Sequence, residues 1–349
     1  MAIKKSQIYS TLWNSCDALR GSMDASQYKD YVLMILFIKY LSDKESDEDS
    51  IFTIPDGCRF SDFVLLKGDD HIGEQINKKL EAIKEANAMF LNRLALPNFN
   101  DPSKLGKPKE MRETLSNLIA AFESEDLDFS KNRTADDDIL GDAYEYLMKN
   151  FAAESGKSKG QFYTPAEVSR VMAKMLHLTE FTSPSTTIYD PTCGSGSLLL
   201  RAIGETPNGA TPYGQEKDNS TASLAILNML LHGVDTATIE QGDTINSPEF
   251  TEGGQLKTFD VCVANPPFST KSWLGAAGKD DTVYHRWTAE LCPPDKCGDY
   301  AFLLHLIASM KPGTGRGACI LPHGVLFRGN AGKSSVSCPL KPSDSAPLC

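Results

Sequence analysis

Residues 188–198 read Ile-Tyr-Asp-Pro-Thr-Cys-Gly-Ser-Gly-Ser-Leu, an apolar run that ends in an acidic residue and is followed by a turn with two glycines. Such a turn lets a ligand approach the backbone closely, because glycine has no Cβ atom. The turn lacks the third glycine of a dinucleotide fingerprint and the Lys-Ser/Thr pair of a phosphate loop, so both of those ligands are disfavoured. Taken alone, the pattern also fits a strand-to-helix turn that binds nothing.

Strand and helix patterns alternate on both sides of this turn. Short β-branched or apolar runs are at residues 187–189, 238–239, 259–264 and 318–321, and helical patterns are at 166–176, 220–231 and 300–310. This alternation predicts an α/β fold with a parallel, doubly wound sheet.

The first 150 residues have a helical pattern instead. Apolar side chains around residues 8–16 and 28–39 predict an amphipathic pair of helices. Further helices are expected near 76–91, from Lys109, and after a cap at Asp136–Asp138. The predicted organisation is a helical N-terminal domain over 1–130 and an α/β domain over 139–328. Residues 329–349, which hold three prolines and no period, are expected to be disordered.

The composition limits the classes of function. The 349 residues hold 35 Lys plus Arg against 46 Asp plus Glu, a formal charge of −11. A chain that grips DNA phosphates unaided usually has the opposite balance, so a partner or a local basic patch would have to help. The apolar stretches are too short to span a bilayer and no apolar signal core follows the N-terminus, which predicts a cytoplasmic protein. The nine cysteines lack metal-type spacing, so no metal is expected.

Residues 213–218 read Tyr-Gly-Gln-Glu-Lys-Asp and are interpreted as directly following a short strand. An acidic residue at this place, about twenty residues after the glycine turn, can accept hydrogen bonds from both hydroxyls of a ribose. A solvated charged turn explains the same residues equally well.

Residues 259–268 read Phe-Asp-Val-Cys-Val-Ala-Asn-Pro-Pro-Phe and form the most specific motif. A buried strand runs into two prolines, which fix the backbone and leave the Pro266 carbonyl as an acceptor beside the Asn265 side-chain oxygen. An amino group on a ring donates two hydrogens, which two fixed acceptors would take, while Phe268 could stack on the ring.

These motifs carry a resemblance. Asn265-Pro266-Pro267-Phe268 matches the catalytic motif of amino-methyltransferases, and its order after the glycine turn matches the adenine-N6 group. Upstream, Gly160-Gln161-Phe162-Tyr163-Thr164-Pro165 looks like the extra cofactor-binding segment of that group. With the helical N-terminal domain, the chain closely resembles the methylation subunit of type I restriction-modification systems. The resemblance implies a Rossmann-like class I methyltransferase domain that moves a methyl group from S-adenosyl-L-methionine to N6 of adenine in DNA.

The resemblance also implies roles for individual residues. The methionine part of S-adenosyl-L-methionine would contact the segment made by Gln161, Phe162, Tyr163, Thr164 and Pro165. Its amino-acid end would lie in the turn that contains Asp190, Thr192, Gly194, Ser195 and Gly196. Glu216 would hold the ribose of the cofactor. Asp243 would contact the amino group of the cofactor's own adenine, unless it is only a turn residue. The catalytic set would be Asn265, Pro266, Pro267 and Phe268, with no metal.

The implied partners are DNA, a separate specificity subunit, a restriction subunit and a second methylation subunit, with the N-terminal helices as partner and DNA clamp. In the resembled family the chain continues well beyond the stretch at residues 321–328, whereas this sequence turns into a low-complexity tail. A truncation or frameshift with doubtful activity is therefore expected. Residues 299–302 resemble the family's next motif, although a core helix explains Phe302 equally well. His232, His305 and His323 lack ligand spacing, and none is expected to be catalytic.

Three alternatives stay open from the residues. A protein glutamine N5-methyltransferase also uses Asn-Pro-Pro followed by an aromatic residue. An inactive fragment could bind only the cofactor or the specificity partner. A dinucleotide-dependent oxidoreductase is disfavoured by the incomplete glycine pattern.

Overall fold

The computed structural model describes residues 9–13, 16, 25–45, 50–124, 127, 139–154 and 164–327. The chain forms two compact units, one made of Met1–Lys157 with Ile226–Asp235 and the other of Ser158–Ala225 with Thr236–Cys349. The predicted cap at Asp136–Asp138 and the predicted tail at 329–349 lie outside the described residues. The domain bounds at 130 and 139 stay predictions.

The first unit is helical, as predicted for the N-terminal part of the chain. Residues 9–13 are helical, and seven longer or shorter helices follow among the described residues. Their bounds are α1 Ala25–Lys44, α2 Phe60–Val64, α3 Ile72–Ala86, α4 Ala88–Leu91, α5 Pro102–Leu105, α6 Pro108–Ala121 and α7 Ile139–Glu154. Helix α1 packs against α7, and Tyr28 meets Phe151 edge to face at 5.5 Å between ring centroids.

Helix α1 is not amphipathic in the structure, and this prediction is wrong. Every residue from 31 to 41 is buried, including those on opposite faces of the helix. The uninterrupted apolar run from Val32 to Ile38 supplies more apolar surface than one helical face can present. Even Lys39 is only 8% exposed, and its ammonium pairs with Asp43 at 2.7 Å, which keeps a charged group tolerable beside the core.

The predicted helix at 76–91 is interrupted at Asn87, between α3 and α4. The buried Asn87 side chain accepts from Thr53 N–H at 2.8 Å and donates to the carbonyls of Thr53 and Ile83 at 2.7 Å. An asparagine can satisfy backbone groups in this way and so competes with the helical ladder. The periodicity continues across the break and could not reveal it.

The second unit contains a five-stranded parallel sheet in the order β3-β2-β1-β6-β7. The strands are β1 Thr187–Asp190, β2 Thr211–Glu216, β3 Thr238–Gln241, β6 Val261–Ala264 and β7 Arg316–Cys319, with a separate hairpin of β4 Thr251–Glu252 and β5 Gln255–Leu256. The helices are α8 Ala166–Met175, α9 Ser197–Gly204, α11 Asp299–Ala308 and α10 Asn219–Leu231, whose residues from Ile226 onward belong to the first unit. There are 3₁₀ turns at Leu178–Glu180 and His323–Phe327. The predicted α/β fold is confirmed. In such a sheet, ligands bind beyond the carboxyl ends where the strand order reverses, here between β1 and β6.

Two strands differ from the prediction. Tyr213 to Glu216 do not follow a strand but form most of β2, which was missed because Gly214 and the polar residues interrupt its apolar pattern. Gly214 is needed there, since a Cβ would lie 2.7 Å from Ile239 Cδ1 and 2.9 Å from Cys193 Sγ. The last strand is at 316–319 instead of 318–321.

The core on one side of the sheet contains a stack of aromatic rings. Tyr189 and Phe259 lie parallel with centroids 4.5 Å apart, and Phe250 meets Tyr189 edge to face. At the amino ends of the strands, Asp260 accepts from Thr187 N at 2.9 Å and pairs with Lys311 at 2.8 Å. These contacts stabilise the sheet edge opposite to the carboxyl ends. No helix among the described residues is long and apolar enough to cross a membrane.

Candidate active site

The carboxyl edge of the sheet gathers most of the described residues that the sequence singled out. Asp190 ends β1 and Glu216 ends β2, and Asp190 is in register with Gly214, so the two carboxylates lie on neighbouring strands at the same edge. Asp243 follows β3, and Asn265 follows β6 directly. Parallel strands therefore bring together residues that are up to 75 positions apart in sequence.

The turn after β1 is held open by its two glycines. Gly194 and Gly196 have φ values of 55° and 80°, in the left-handed region that favours glycine. The turn closes through Gly196 N to the Cys193 carbonyl at 2.8 Å, and Cys193 N donates to the Gln215 carbonyl of β2 at 3.0 Å. The backbone of the turn is thus fixed against the neighbouring strand before any ligand binds.

Glu216 links the end of β2 to this turn. One carboxylate oxygen accepts from Gly194 N–H at 3.1 Å, and the other accepts from Asp218 N–H at 2.9 Å. Burial raises the pKa of Glu216, although these backbone hydrogen bonds act in the opposite direction. A carboxylate held at both oxygens is positioned to accept hydroxyl hydrogens from a small ligand in the turn.

Asp190 is almost completely buried, at 1% exposure. Burial, together with the nearby charge of Glu216, raises the pKa of Asp190 to about 7, against the opposing effect of hydrogen bonds from Thr192. The Thr192 amide lies 2.8 Å from the Asp190 carboxylate. A buried carboxylate with a neighbouring acidic group is stabilised in its charged form by a cation, so this edge suits a positively charged ligand.

Ser195 and Ser197 complete the turn, with their hydroxyl oxygens 3.1 Å apart and both side chains buried. Because Ser197 is the first residue of α9, the pair links the turn to that helix.

Asp243 holds its own loop. Its Oδ1 accepts from the amides of Ile245 and Asn246 at 3.0 and 3.1 Å, and its Oδ2 pairs with Lys217 at 2.8 Å. Burial raises the pKa of Asp243, but the bonds from Lys217 and Asn246 outweigh this and leave the pKa below its usual value. This geometry is that of a turn residue, and the cofactor contact implied by the resemblance stays a prediction.

Asn265 contacts the one polar residue of the upstream segment that the structure describes. Its Nδ2 donates to Thr164 Oγ1 at 3.2 Å, across 101 positions of sequence, and its Oδ1 is buried. Thr164 is 8% exposed and Pro165 is exposed before α8. Gln161, Phe162 and Tyr163 lie outside the described residues. The bond brings the upstream segment to the motif that follows β6.

The residues after Asn265 form a rigid loop that ends in an exposed ring. Pro266 is buried, Pro267 is half-buried, and Phe268 is 47% exposed, which is high for a phenylalanine. Ser269 has a φ of 54° and donates its amide to Asp299 Oδ1 at 2.7 Å, at the first residue of α11. The ring is therefore presented to solvent by a loop that is anchored directly behind it.

Phe302 lies in the core. It is 8% exposed and belongs to a cluster with Ile245, Trp273, Trp287, Ala301 and Leu304, in which the two tryptophan rings meet at right angles 5.4 Å apart. Of the two interpretations of Phe302, the structure favours the core helix.

A buried polar group that the sequence did not indicate lies beneath the loop of Asp243. The Arg286 side chain has 0% exposure and pairs with Asp281, which is 2% exposed, at 2.6 Å. No motif or spacing marks these residues, which stand in an irregular stretch between Pro267 and α11. The distinguishing feature of Arg286 is its burial, and the burial of one residue in a loop cannot be inferred from the sequence.

Comparison with known proteins gives the same family along most of the chain. Residues 135–336, more than half of the chain, match the family described as N-6 DNA methylase. Residues 8–122 match the HsdM N-terminal domain.

Individual relatives agree. The chain is 29% identical to the methylase subunit of the type I restriction enzyme MpnII from Mycoplasma pneumoniae, over 91% of this chain and 68% of the relative. It is 30% identical to the methylase subunit of the type I restriction enzyme MjaVIII from Methanocaldococcus jannaschii, over 95% of this chain and 59% of the relative. The chain thus spans about three fifths to two thirds of these relatives.

Among solved structures, the type I restriction-modification system methyltransferase subunit from Streptococcus thermophilus is similar with a TM-score of 0.81 and 31% identity. The similarity covers 97% of this chain and 78% of that subunit.

Proposed function

Since the chain belongs to the N-6 DNA methylase family, and specifically to the methylation subunits of type I restriction-modification systems, we propose that it transfers a methyl group from S-adenosyl-L-methionine to N6 of adenine in DNA. The observation that carries the proposal is the hydrogen bond between Asn265 and Thr164 at the same sheet edge as Asp190 and Glu216. It joins a segment and a motif that serve cofactor and target in this family.

The residues of the edge fit S-adenosyl-L-methionine chemically. The cofactor carries a positive sulfonium and a positive ammonium group, and the edge offers two carboxylates whose pKa values are raised by burial. We assign Asp190 and the turn of Gly194 and Gly196 to its amino-acid end, and Glu216 to its ribose. When bound, it supplies an electrophilic methyl group on sulfur.

Asn265 and Pro266 act on the amino group of the target base. The lone pair of this nitrogen is delocalised into the ring, which makes it a poor nucleophile. Hydrogen bonds from the amino group to the Asn265 side-chain oxygen and the Pro266 carbonyl favour a tetrahedral nitrogen whose lone pair is available. The prolines hold both acceptors in place before the base arrives, so the site depends on positioning more than on a strong base.

Phe268 receives the base. An adenine inside a duplex does not expose its amino group to an enclosed site, so it has to leave the stack. The Phe268 ring, at 47% exposure next to the two acceptors, offers an apolar face on which a purine can stack. Stacking on aromatic side chains contributes about 1–3 kcal/mol per base in other proteins.

The partners follow from the family and from the charge of the chain. A separate specificity subunit would select the DNA sequence, and a restriction subunit and a second methylation subunit would complete the assembly. A formal charge of −11 is consistent with a chain that relies on such a partner to hold DNA. We place this assembly in the cytoplasm, where its DNA substrate is accessible.

The test is a methylation assay with labelled S-adenosyl-L-methionine, DNA, the full chain and its specificity subunit. Asn265→Ala removes one acceptor of the target amino group and is expected to lower methyl transfer at least about a hundredfold. Cofactor affinity, measured by calorimetry, should change by less than about threefold, because the variant leaves Asp190, Glu216 and the glycine turn intact and removes only one bond to the upstream segment.

The matched control is Asn208→Ala, which removes an exposed asparagine whose amide bonds only the Thr182 carbonyl before β1. It should leave transfer unchanged. An Asn265→Ala enzyme as active as the natural one would refute the mechanism. Label that appears in protein instead of DNA would favour the glutamine methyltransferase, and cofactor binding without any transfer would favour an inactive fragment.

A further inference from the structure

The Arg286 guanidinium makes contacts in four directions inside the second unit. Nε donates to Asp281 Oδ2 at 2.6 Å, Nη2 donates to the Ile245 carbonyl at 2.8 Å, and Nη1 donates to the Thr244 carbonyl at 3.4 Å. Nη1 also lies 3.2 Å from His305 Nδ1. A fully buried charge is costly unless it is paired and hydrogen-bonded, and here it has both kinds of partner.

These bonds hold the loop after β3 from its carbonyl side. The amides of Ile245 and Asn246 donate to Asp243 on the other side of the same loop, at 3.0 and 3.1 Å. Arg286 and Asp243 therefore fix consecutive peptide groups of one short segment. A change at Arg286 would move the loop that positions the Asp243 carboxylate.

The same loop is connected to the turn after β1. Thr244 Oγ1 donates to the Pro191 carbonyl at 2.5 Å, and Pro191 directly follows Asp190. The bonds run from Arg286 through Thr244 to the glycine turn, so one buried side chain supports both loops at the carboxyl edge of β1 and β3.

His305 supports Arg286 from α11. Its Nδ1 faces the guanidinium, which can only donate, so Nδ1 is an acceptor and the ring hydrogen is on Nε2. Nε2 lies 3.1 Å from the Tyr189 hydroxyl, one residue before Asp190. Burial and the charge of Arg286 hold the pKa of His305 well below its usual range, consistent with a neutral ring. The histidine is a structural partner of the arginine and not a catalytic base.

We propose that Arg286 is a positioning residue for the cofactor pocket, which acts through the Thr244–Asn246 loop and Pro191 and does not itself touch the cofactor. The inference rests on the proposed function, because that function assigns the glycine turn to S-adenosyl-L-methionine, and it takes up the predicted contact between Asp243 and the cofactor. It adds a residue that lies outside every motif of the sequence and about twenty positions after the catalytic loop.

The experiment compares the full chain with Arg286→Lys. Lysine keeps the charge but has one compact ammonium group and cannot reach Asp281, Ile245 and Thr244 together. We expect the dissociation constant of S-adenosyl-L-methionine, measured by calorimetry, to rise about tenfold or more. Amide hydrogen exchange at residues 244–246 should become faster in the absence of cofactor.

Arg316→Lys is the matched control. Arg316 also bonds two backbone carbonyls, of Leu176 at 2.9 Å and His177 at 3.3 Å, and pairs with Glu180, but it starts β7 at the amino edge of the sheet. We expect it to lower the melting temperature without changing cofactor affinity. A purely structural role for Arg286 would give the two variants the same result, namely lower stability with unchanged affinity.

Thr244→Val provides a second route if Arg286→Lys does not fold. It removes only the hydroxyl that bonds Pro191, and it should weaken cofactor binding several-fold. Unchanged affinity in a folded Arg286→Lys or Thr244→Val chain would overturn the inference. If the natural chain does not bind S-adenosyl-L-methionine, the proposed function fails. In that case the rate of amide hydrogen exchange at residues 244–246, compared between the natural chain and Arg286→Lys, still decides whether Arg286 holds the loop.

Discussion

Asp190 combines two demands on one carboxyl group. It is buried at the end of β1 beneath the glycine turn, and under the proposed function it must be charged to attract a cationic ligand. Burial raises its pKa to about 7, so near neutral pH the empty protein holds a mixture of the two protonation states. Binding of a cation would shift this mixture towards the carboxylate and release a proton.

The first prediction concerns the pH dependence of stability. The pKa of Asp190 is raised from 3.8 to about 7 in the folded chain, so the folded state favours the protonated form. This contribution is fully present below pH 3.8, and it is lost as the pH rises through 7. Asp190→Asn keeps the acceptor for Thr192 but cannot ionise. We expect the stability of the natural chain to fall by up to about 1.4 kcal/mol per pH unit between about pH 5 and 7 relative to Asp190→Asn, measured by urea unfolding.

The control for this prediction is another aspartate of the same sheet. Burial raises the pKa of Asp260, but bonds from Lys311 and Thr187 outweigh it and leave the pKa below its usual value. Its stabilising contribution is therefore present above its ordinary pKa and is lost only in acid. Asp260→Asn should lower stability at neutral pH without changing the slope between about pH 5 and 7. Equal slopes for the natural chain and Asp190→Asn would contradict the assignment.

The second residue-scale prediction is the pH dependence of cofactor binding. Because a cation needs the ionised Asp190, affinity for S-adenosyl-L-methionine should increase as the pH rises from about 6 to 8. Calorimetry in buffers of different ionisation enthalpy would detect the released proton. The Asp190→Asn chain should bind more weakly and with little pH dependence over the same range, and an equally steep dependence in that chain would assign the proton to another group.

Single residues of the site were predictable where the sequence marks the end of a strand. Asp190 and Asn265 follow apolar runs, and parallel strands must bring the carboxyl ends of these runs to one edge. Arg286 was not predictable, because it holds the distant loop through the carbonyl groups of Thr244 and Ile245, and carbonyl groups have no sequence signal. The bond between Thr164 and Asn265 could be expected only through the family resemblance.

At the scale of elements, α1 is the clearest departure from the sequence pattern. Its periodic apolar positions predicted one buried face, whereas in the structure every residue from 31 to 41 is buried. Periodicity reports how the apolar residues of a helix are distributed, but what covers the opposite face depends on elements far away in sequence. The interruption at Asn87 has the same origin, because its partner is Thr53 in another segment.

This difference gives an element-scale prediction. Leu33 and Ile35 point to opposite sides of α1, and both have 0% exposure. Leu33→Ala and Ile35→Ala should each lower the free energy of unfolding by about 2–5 kcal/mol, because each leaves a cavity. An amphipathic helix would tolerate one of the two. Leu65→Ala, at a position that is 80% exposed, is the control and should change stability by less than about 0.5 kcal/mol in urea unfolding.

At the scale of the whole molecule, the net charge determines how the chain would bind DNA under the proposed function. The chain has 46 acidic residues against 35 basic ones, and this excess of negative charge repels a phosphate backbone on average. A site that extrudes a base still needs the duplex to be held nearby. Under the proposed function, this holding falls mainly to the specificity subunit, and methylation by the isolated chain should be limited by DNA binding.

The prediction is a difference in salt dependence. The isolated chain should bind a duplex no more tightly than about 1 µM near physiological salt, with a shallow slope of log K against log salt. Addition of the specificity subunit should tighten binding at least about tenfold and steepen the slope, since each additional phosphate contact adds about 0.9 to it. Fluorescence anisotropy at several salt concentrations measures both. Nanomolar binding by the chain alone, with a steep slope, would show that it carries its own phosphate-binding surface.

The paired indole rings of Trp273 and Trp287 have a practical consequence. Two of the three tryptophans in the chain are packed in one cluster, with the Arg286 guanidinium 4.7 Å from the Trp287 ring. Two of the three tryptophans whose fluorescence can be recorded therefore lie next to this arginine. Their emission reports on its surroundings without an attached dye. Stopped-flow recordings of that emission can time the response of the pocket to each ligand separately.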